Sequence, residues 1–201
     1  MSQTTLILFA VLIPSVMLHE ISHGAVALAF GDDTAKRAGR LTLNPIAHVD
    51  PFGTLILPLL LALTGAGMFG WAKPAPVNPA LLRNPRQQSL LVSLAGPATN
   101  IALAILAAGV LRAHLVHTNL AVRIVFDAGF VNVVLAAFNL LPIPPLDGSA
   151  VIERFLPPSW APQWYRFRQY SFGLLLLLVL LRPNTLHRVF DAALRVWGHL
   201  L

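Results

Sequence analysis

The stretch TLILFAVLIPSVMLHEISHGAVALAF, residues 5–30, decides the fold. A helix needs roughly 20 mainly apolar residues to cross a membrane, and this run is long enough. Its second half contains His19-Glu20-Ile21-Ser22-His23, which places two imidazoles and a carboxylate inside an apolar helix. One charged residue at mid-bilayer costs roughly 2.5–3.5 kcal/mol on insertion scales, and such residues are usually functional. The sequence therefore predicts a membrane-spanning helix that carries a polar site.

The composition is that of an integral membrane protein. Of the 201 residues, 56% are hydrophobic and only 11% are charged, whereas an ordinary soluble domain has about 25% charged residues. The formal net charge of +6 comes from Lys and Arg in short loops beside apolar runs. That distribution indicates topology and contact with anionic lipid rather than nucleic acid. The chain has no cysteine, which excludes disulfides and thiolate metal sites.

We predict an all-α integral membrane helical bundle with about four spans. Besides residues 5–30, the runs 89–111 and 122–141 can cross the membrane, and the shorter Leu-rich run 170–181 can do so if Phe167 to Arg182 all contribute. The apolar run 52–70 is interrupted by proline and glycine and lies between two basic loops, so we expect it to re-enter from the cytoplasmic face. A full additional span is the alternative. With a re-entrant segment, both termini lie outside the cytoplasm.

The histidine pair has the spacing of a metal site. Positions four apart share one face of a helix, so His19 and His23 can bind one Zn²⁺ through their imidazole nitrogens. Glu20 lies one residue along, where its carboxylate can act as general base on a water activated by the metal. The alternative is a chance grouping near a helix end, and the cost of burying these side chains in a membrane argues against it.

A catalytic zinc ion usually takes three protein ligands, so a third ligand is required. The candidates in the sequence are His48, Asp50, Asp127 and Asp147. Asp127 follows Arg123 by four residues, which favours a helical ion pair. Asp147 follows a proline-broken stretch after the third span, on the same membrane side as His23, and it is the favoured ligand. Its alternative role is to cap a helix that starts near Ser149.

Two regions outside the spans have patterns of their own. Prolines around 44–51 and 74–79 favour short extended segments after the first span. Residues 184–201 alternate apolar and charged side chains at helical spacing, which predicts an amphipathic C-terminal helix, either at the membrane interface or packed on the bundle. We therefore divide the chain into a membrane core, 1–183, with its catalytic elements in 15–155, and this interfacial helix.

Taken together, these motifs resemble the site-2 protease family of intramembrane zinc metalloproteases (M50 peptidases). The resemblance rests on His19–His23, on Leu146-Asp147-Gly148 after an Asn-x-x-Pro stretch, and on Gly39–Gly53, Gly70–Pro79 and Ala95–Asn100. The stretches 39–53 and 70–79 are similar to the small prokaryotic branch of the family, and 95–100 is similar to a small-residue helix start. No loop of the chain is long enough for the PDZ or CBS domain of larger relatives.

The resemblance implies a zinc metalloendopeptidase that cleaves a peptide bond in or next to a transmembrane segment of a membrane-protein substrate. It implies that His19, His23 and Asp147 hold the zinc and that Glu20 is the base. Loop charge places this active site near the cytoplasmic side of the membrane. The resemblance to the small prokaryotic branch implies that this membrane is a prokaryotic plasma membrane.

Two asparagines match further positions in the family. Asn139 matches a position that helps to hold substrate or the oxyanion, and Asn100 matches a small-residue motif with a similar role. A neutral amide suits this work because it donates a hydrogen bond without adding charge to an apolar site. Hydrogen bonding between helices is an equal alternative for Asn100.

A membrane metal-ion transporter or sensor is the alternative from a different functional class. It also accounts for buried His and Asp residues, but not for Glu20 at the base position. Transporters typically show repeats at the substrate site, and the sequence has no internal repeat. The expected partners are therefore a transmembrane protein or peptide substrate and the lipid bilayer, with no nucleic acid.

Overall fold

The computed structural model describes residues 3–50, 73–181 and 183–201. Within these ranges the chain forms α-helices and short 3-10 turns, and no strand is present. The helices are α1 (Gln3–Ala29), α2 (Thr34–Arg37), α3 (Pro85–Arg112), α4 (Asn119–Asn139), α5 (Ser149–Phe155), α6 (Ala161–Leu181) and α7 (Pro183–Gly198). The 3-10 turns are Pro45–His48, Pro79–Leu81 and Pro158–Trp160. The predicted all-helical membrane bundle is confirmed.

Three helices of the described ranges are long and apolar enough to cross a membrane. These segments are Leu6–Ala29 in α1, Pro85–Arg112 in α3 and Asn119–Asn139 in α4, and the three helices pack against one another. They match the first three predicted spans. The predicted fourth span falls in α6, which is not among these three, and it stays a prediction. The predicted re-entrant segment at 52–70 lies outside the described residues.

Small side chains on α3 let the three helices approach closely. Gly96, Asn100, Ala104 and Ala108 repeat every fourth residue, so they form one stripe along the helix. Ala104 and Ala108 are buried in a core cluster with Val133 of α4. Packing of small residues, together with hydrogen bonds between helices, holds membrane helices together where lipid is as apolar as the protein. The Asn100 position in this stripe becomes important at the site.

The C-terminal helix α7 is amphipathic and packs on the bundle. The Trp197 ring lies directly over Gly129 of α4, where an added Cβ would be 2.1 Å from Cζ2. Its indole N–H donates to the Ala104 carbonyl oxygen at 2.8 Å. One residue before the end of α4, the Phe138 ring lies 6.5 Å from the Phe190 ring of α7. Of the two placements open from the sequence, the contacts show packing on α4, and a location at the membrane interface stays a prediction.

Two local predictions are wrong. Residues 44–51 were expected to be extended, but Pro45–His48 forms a 3-10 turn because the Asn44 side chain accepts the Ile46 N–H at 3.1 Å. The stretch Ala95–Asn100 was expected at a helix start, but it lies in the middle of α3. Pro85 begins that helix, where the missing proline N–H costs nothing. Residues 73–78 contain no helix, in line with the extended segment predicted there.

Candidate metal centre

His19 and His23 lie on one face of α1, one turn apart. Their Nε2 atoms are 3.1 Å apart, and the side chains are buried, with 5% and 8% of their surface exposed. At 1.5 Å per residue, His23 lies about 9 Å and His19 about 15 Å before the end of α1 at Ala29. The pair is therefore inside the spanning helix, in its second half.

The loop after α4 brings Asp147 to the histidines. Asp147 Oδ2 lies 3.1 Å from His19 Nε2 and 3.5 Å from His23 Nε2. The loop folds back on the end of α4, because the Gly148 N–H donates to the Asn139 carbonyl oxygen at 2.7 Å. A side chain at Gly148 would lie 2.2 Å from the Leu140 carbonyl oxygen, so only glycine permits this close return.

The alternative role proposed for Asp147 is wrong. α5 starts at Ser149, as the sequence predicted, but its N-cap residue is Gly148 and no side chain caps it. The Asp147 carboxylate is instead directed at the two imidazoles. An ionised carboxylate is the form that binds a metal.

Hydrogen bonds on the far side of each ring fix the tautomers. His23 Nδ1 lies 2.7 Å from the Val92 carbonyl oxygen, which can only accept, so Nδ1 carries the proton. His19 Nδ1 lies 2.6 Å from Asn100 Oδ1, also an acceptor. Both neutral rings therefore present the lone pair of Nε2 toward Asp147. Such outer hydrogen bonds are what orient metal-binding histidines.

The three facing atoms fit a zinc ion. They are two imidazole lone pairs and a carboxylate oxygen, 3.1–3.5 Å apart. Tetrahedral zinc with bonds of about 2.0–2.1 Å puts neighbouring ligand atoms about 3.3 Å apart. Among the described residues no hydrogen bond reaches Asp147 Oδ2, although the atom is buried. Three acceptors in contact repel one another unless a cation lies between them, and His19, His23 and Asp147 are the one such group in the described ranges.

Gly96 of α3 leaves room for the group formed by His19, His23 and Asp147. A Cβ there would lie 2.5 Å from His19 Nε2 and 2.5 Å from His23 Nε2. Real Cβ contacts are never this short, so any side chain at this position would displace the two imidazoles. Gly96 is the member of the small-residue stripe at which α3 passes the face of α1 that carries His19 and His23.

Comparison with known proteins decides the family. The profile of peptidase family M50 matches residues 7–121 and 109–180. The chain belongs to peptidase family M50. Together with the helical membrane bundle and the three-residue group, this makes it a zinc metalloprotease, as the sequence predicted.

Curated relatives support the same family. YwhC of Bacillus subtilis is 43% identical over 177 residues, which are 83% of this chain and 77% of YwhC. Rip2 of Mycolicibacterium smegmatis is 38% identical and Rip2 of Mycobacterium tuberculosis H37Rv is 39% identical, each over 179 residues. Those alignments cover 88% of this chain and 66% of each Rip2 protein. All three are provisionally named zinc metalloproteases. No solved structure is significantly similar to the chain.

The carboxylate of Glu20 in this M50 peptidase is held by the segment after residue 72. Glu20 Oε2 accepts the Ala75 N–H at 2.8 Å. The segment is fixed on both sides of that contact, because the Lys73 N–H donates to the His48 carbonyl oxygen at 2.9 Å and the Asn78 N–H donates to Asp32 Oδ2 at 2.6 Å. Glu20 is therefore oriented by backbone that is itself anchored at two further points.

The other predicted ligands of the peptidase lie elsewhere. Asp127 pairs with Arg123 at 2.7 Å, which confirms the predicted helical ion pair. His48 is buried in its own loop, with Nε2 3.0 Å from the Thr42 carbonyl oxygen. Asp50 is not in the group of three that could bind a metal. Asp147 is thus the candidate that the fold brings to the histidines.

The two predicted substrate-binding asparagines differ in their surroundings. Asn139 is half-buried at the end of α4, and its amide donates to the Leu135 carbonyl oxygen at 3.0 Å. Asn100 is fully buried and connects His19 to Asn132, whose Oδ1 accepts its amide N–H at 2.7 Å. The alternative of hydrogen bonding between helices is what the structure shows for Asn100. The substrate-binding role of both residues stays a prediction.

Sequence reasoning missed Asp32, which supports the site of this peptidase from outside the span. Asp32 is fully buried, and its Oδ1 accepts the Thr34 backbone N–H at 3.0 Å. Burial works against ionisation, but hydrogen bonds from Thr34 and Asn78 outweigh it and lower the pKa of the Asp32 carboxyl. The signal was available, because Asp two residues before a Thr is typical of an Asx turn after a helix. The long-range partner of Asp32, the Asn78 N–H, could not be predicted from any such local pattern.

Proposed function

We propose that the chain hydrolyses peptide bonds in or next to transmembrane segments of membrane-protein substrates. His19, His23 and Asp147 hold the zinc ion, and Glu20 is the general base. The observation that carries the proposal is the group of three facing acceptor atoms, 3.1–3.5 Å apart, on a helix that can span the membrane. A metal site at this depth meets substrate segments that are themselves in the membrane.

The chemistry divides between the metal and Glu20. Zinc, when bound, supplies the Lewis acidity that activates a water molecule and polarises the scissile carbonyl. Glu20 takes the proton from the attacking water and then gives it to the leaving amine nitrogen. We assign this transfer to Oε1, because the Ala75 N–H already occupies Oε2. The hydrogen bond keeps the carboxylate in one orientation, so no rotation is needed between the two proton transfers.

The remaining assignments follow from position. Asn139 lies where α4 ends and the Asp147 loop begins, so we propose that its amide contacts substrate or the oxyanion. The amide of Asn100 is hydrogen-bonded to His19 and Asn132, and this supports a role in orienting His19 rather than in binding substrate. We further propose that the site opens toward the cytoplasmic side, on the loop charges alone, and that the membrane is a prokaryotic plasma membrane, in line with the bacterial relatives.

The proposal is tested with purified protein in liposomes. The probes are a set of single-span peptides reconstituted with the enzyme and, separately, casein as a soluble unfolded substrate. We expect cleavage of spanning peptides, with product masses that place the cut in or beside the span. A zinc chelator should stop cleavage, and one equivalent of Zn²⁺ should restore it. Cleavage of casein without any cut in or next to a span, or cleavage unaffected by metal removal, would contradict the proposal.

A further inference from the structure

A relay of buried, hydrogen-bonded polar side chains leads away from the metal site across three helices. It starts at His19 in α1, continues through Asn100 in α3 and Asn132 in α4, and returns to α1 at Ser15. Asn100 Nδ2 donates to Asn132 Oδ1 at 2.7 Å, and Asn132 Nδ2 donates to Ser15 Oγ at 2.9 Å. Ser15, Asn132 and Asn100 are 4%, 2% and 0% exposed, so water does not compete for these bonds.

The donor and acceptor of every hydrogen bond in this relay are fixed by its last member, Ser15. The Ser15 hydroxyl has one proton, and it donates to the Val11 carbonyl oxygen at 2.9 Å. Ser15 Oγ must therefore accept from Asn132. The same Asn132 nitrogen lies 2.8 Å from the Ala128 carbonyl oxygen, which also only accepts. Two acceptors on one side hold the Asn132 amide with its nitrogen toward them and Oδ1 toward Asn100.

That orientation decides the state of His19. Because Asn132 presents an oxygen, Asn100 must present its nitrogen there and its own Oδ1 to His19 Nδ1. His19 then carries its proton on Nδ1 and keeps the Nε2 lone pair for the metal. An Asn100 amide turned by 180° would offer N–H to Nδ1 instead, and the ring proton would move to Nε2, where it blocks metal binding.

We propose that Asn132 and Ser15 are positioning residues for the metal site, and that they set the zinc affinity through the tautomer and orientation of His19. Neither residue touches the metal group. The proposal rests on the metal site of the proposed function, but it makes a separate claim about residues two and three hydrogen bonds away from His19.

Zinc affinity, measured by competition with a chromophoric chelator on the full chain in detergent, tests the proposal. Partners behind metal ligands typically contribute about 10–100-fold to metal affinity. We expect Asn132→Leu to weaken zinc binding within that range. We expect Ser15→Ala to weaken it about tenfold, at the lower end, because the Ala128 carbonyl still holds the Asn132 amide. Ser15→Thr keeps a hydroxyl that bonds the preceding turn of a helix, so it should restore wild-type affinity.

Ser171 provides a matched control. It is 0% exposed in α6, and its hydroxyl donates to the Arg168 carbonyl oxygen at 2.8 Å, one turn back, as Ser15 does to Val11. Ser171→Ala removes an equivalent buried hydroxyl without touching the relay, so it should leave zinc affinity unchanged. Absorption of the Co²⁺-loaded forms should also change for Ser15→Ala and not for Ser171→Ala, since only the first alters ligation by His19.

The outcomes separate the two claims. A wild-type chain that binds no zinc would overturn the proposed function itself. A wild-type chain that binds zinc while Ser15→Ala and Asn132→Leu bind it equally well would overturn the relay alone. Equal weakening by Ser15→Ala and Ser171→Ala, or no rescue by Ser15→Thr, would also overturn it. If Asn132→Leu does not fold, the three serine variants decide the question.

Discussion

Gly96→Ala is expected to abolish zinc binding and, with it, proteolysis. The new Cβ would lie 2.5 Å from Nε2 of both His19 and His23, so either the ligand atoms or α3 must move. A displacement of about 1 Å at a reacting centre can cost about 100-fold in rate, and here the displaced atoms are the metal ligands themselves. The measurement is zinc per chain, by elemental analysis, together with the initial rate of cleavage of a spanning peptide.

Gly109→Ala is the control for this variant. Gly109 lies in the same helix, but no atom lies within 4 Å of an added Cβ. Alanine in place of glycine in a helix interior is favourable by roughly 0.5–1 kcal/mol, so this variant should be as stable as wild type or more so, with full zinc content and activity. A Gly96→Ala protein with wild-type zinc content would show that α3 does not pass the metal group as closely as described.

Glu20→Gln is expected to lose about 10²–10⁴-fold in cleavage rate, the range that general base catalysis contributes. The amide keeps the size of the side chain and can still accept the Ala75 N–H, but it cannot take a proton from water. Zinc content should be unchanged, because Glu20 is not one of the three facing ligands. The measurements are the single-turnover rate of peptide cleavage and zinc per chain in the same preparation.

Glu153→Gln is the matched control for the base. Glu153 is also half-buried and hydrogen-bonded, with Oε1 2.9 Å from the indole nitrogen of Trp164 and 2.7 Å from Arg168. It lies in α5, outside the metal group, so its rate should stay close to that of wild type. A zinc-loaded Glu20→Gln protein that cleaves at the wild-type rate would remove Glu20 from the mechanism.

The grouping of the three candidate ligands could be predicted from the sequence because its geometry is local or nearly so. Two histidines four residues apart must share a helix face, whatever the helix packs against. Asp147 was favoured because prolines break the helix before it, which left a loop at the depth of His23. Among the other candidates, Asp127 was expected to pair with Arg123 four residues before it, and the observed ion pair confirms that local prediction.

Features that depend on contact between helices could not be predicted in this way. Gly96 matters because α3 passes α1 at a short distance, and nothing in the spacing of Ala95–Asn100 specifies that distance. Asn132 likewise resembles any polar residue in an apolar helix until its neighbours Asn100 and Ser15 are known. The prediction of an extended 44–51 gave proline a breaking role, whereas the helix start predicted at 95–100 rested on a family resemblance of small residues. Pro45 begins a 3-10 turn capped by Asn44, and Pro97 is tolerated inside α3.

In the proposed site, Asp147 completes the ligand set begun by His19 and His23. Zinc content of purified wild type and Asp147→Ala tests it most directly, with Asp191→Ala as control because Asp191 is exposed on α7 and lies outside the metal group. We predict about one zinc ion per chain in wild type and in Asp191→Ala, as expected for a single catalytic site, and almost none in Asp147→Ala. Wild-type zinc content in Asp147→Ala would show that Asp147 is not a zinc ligand.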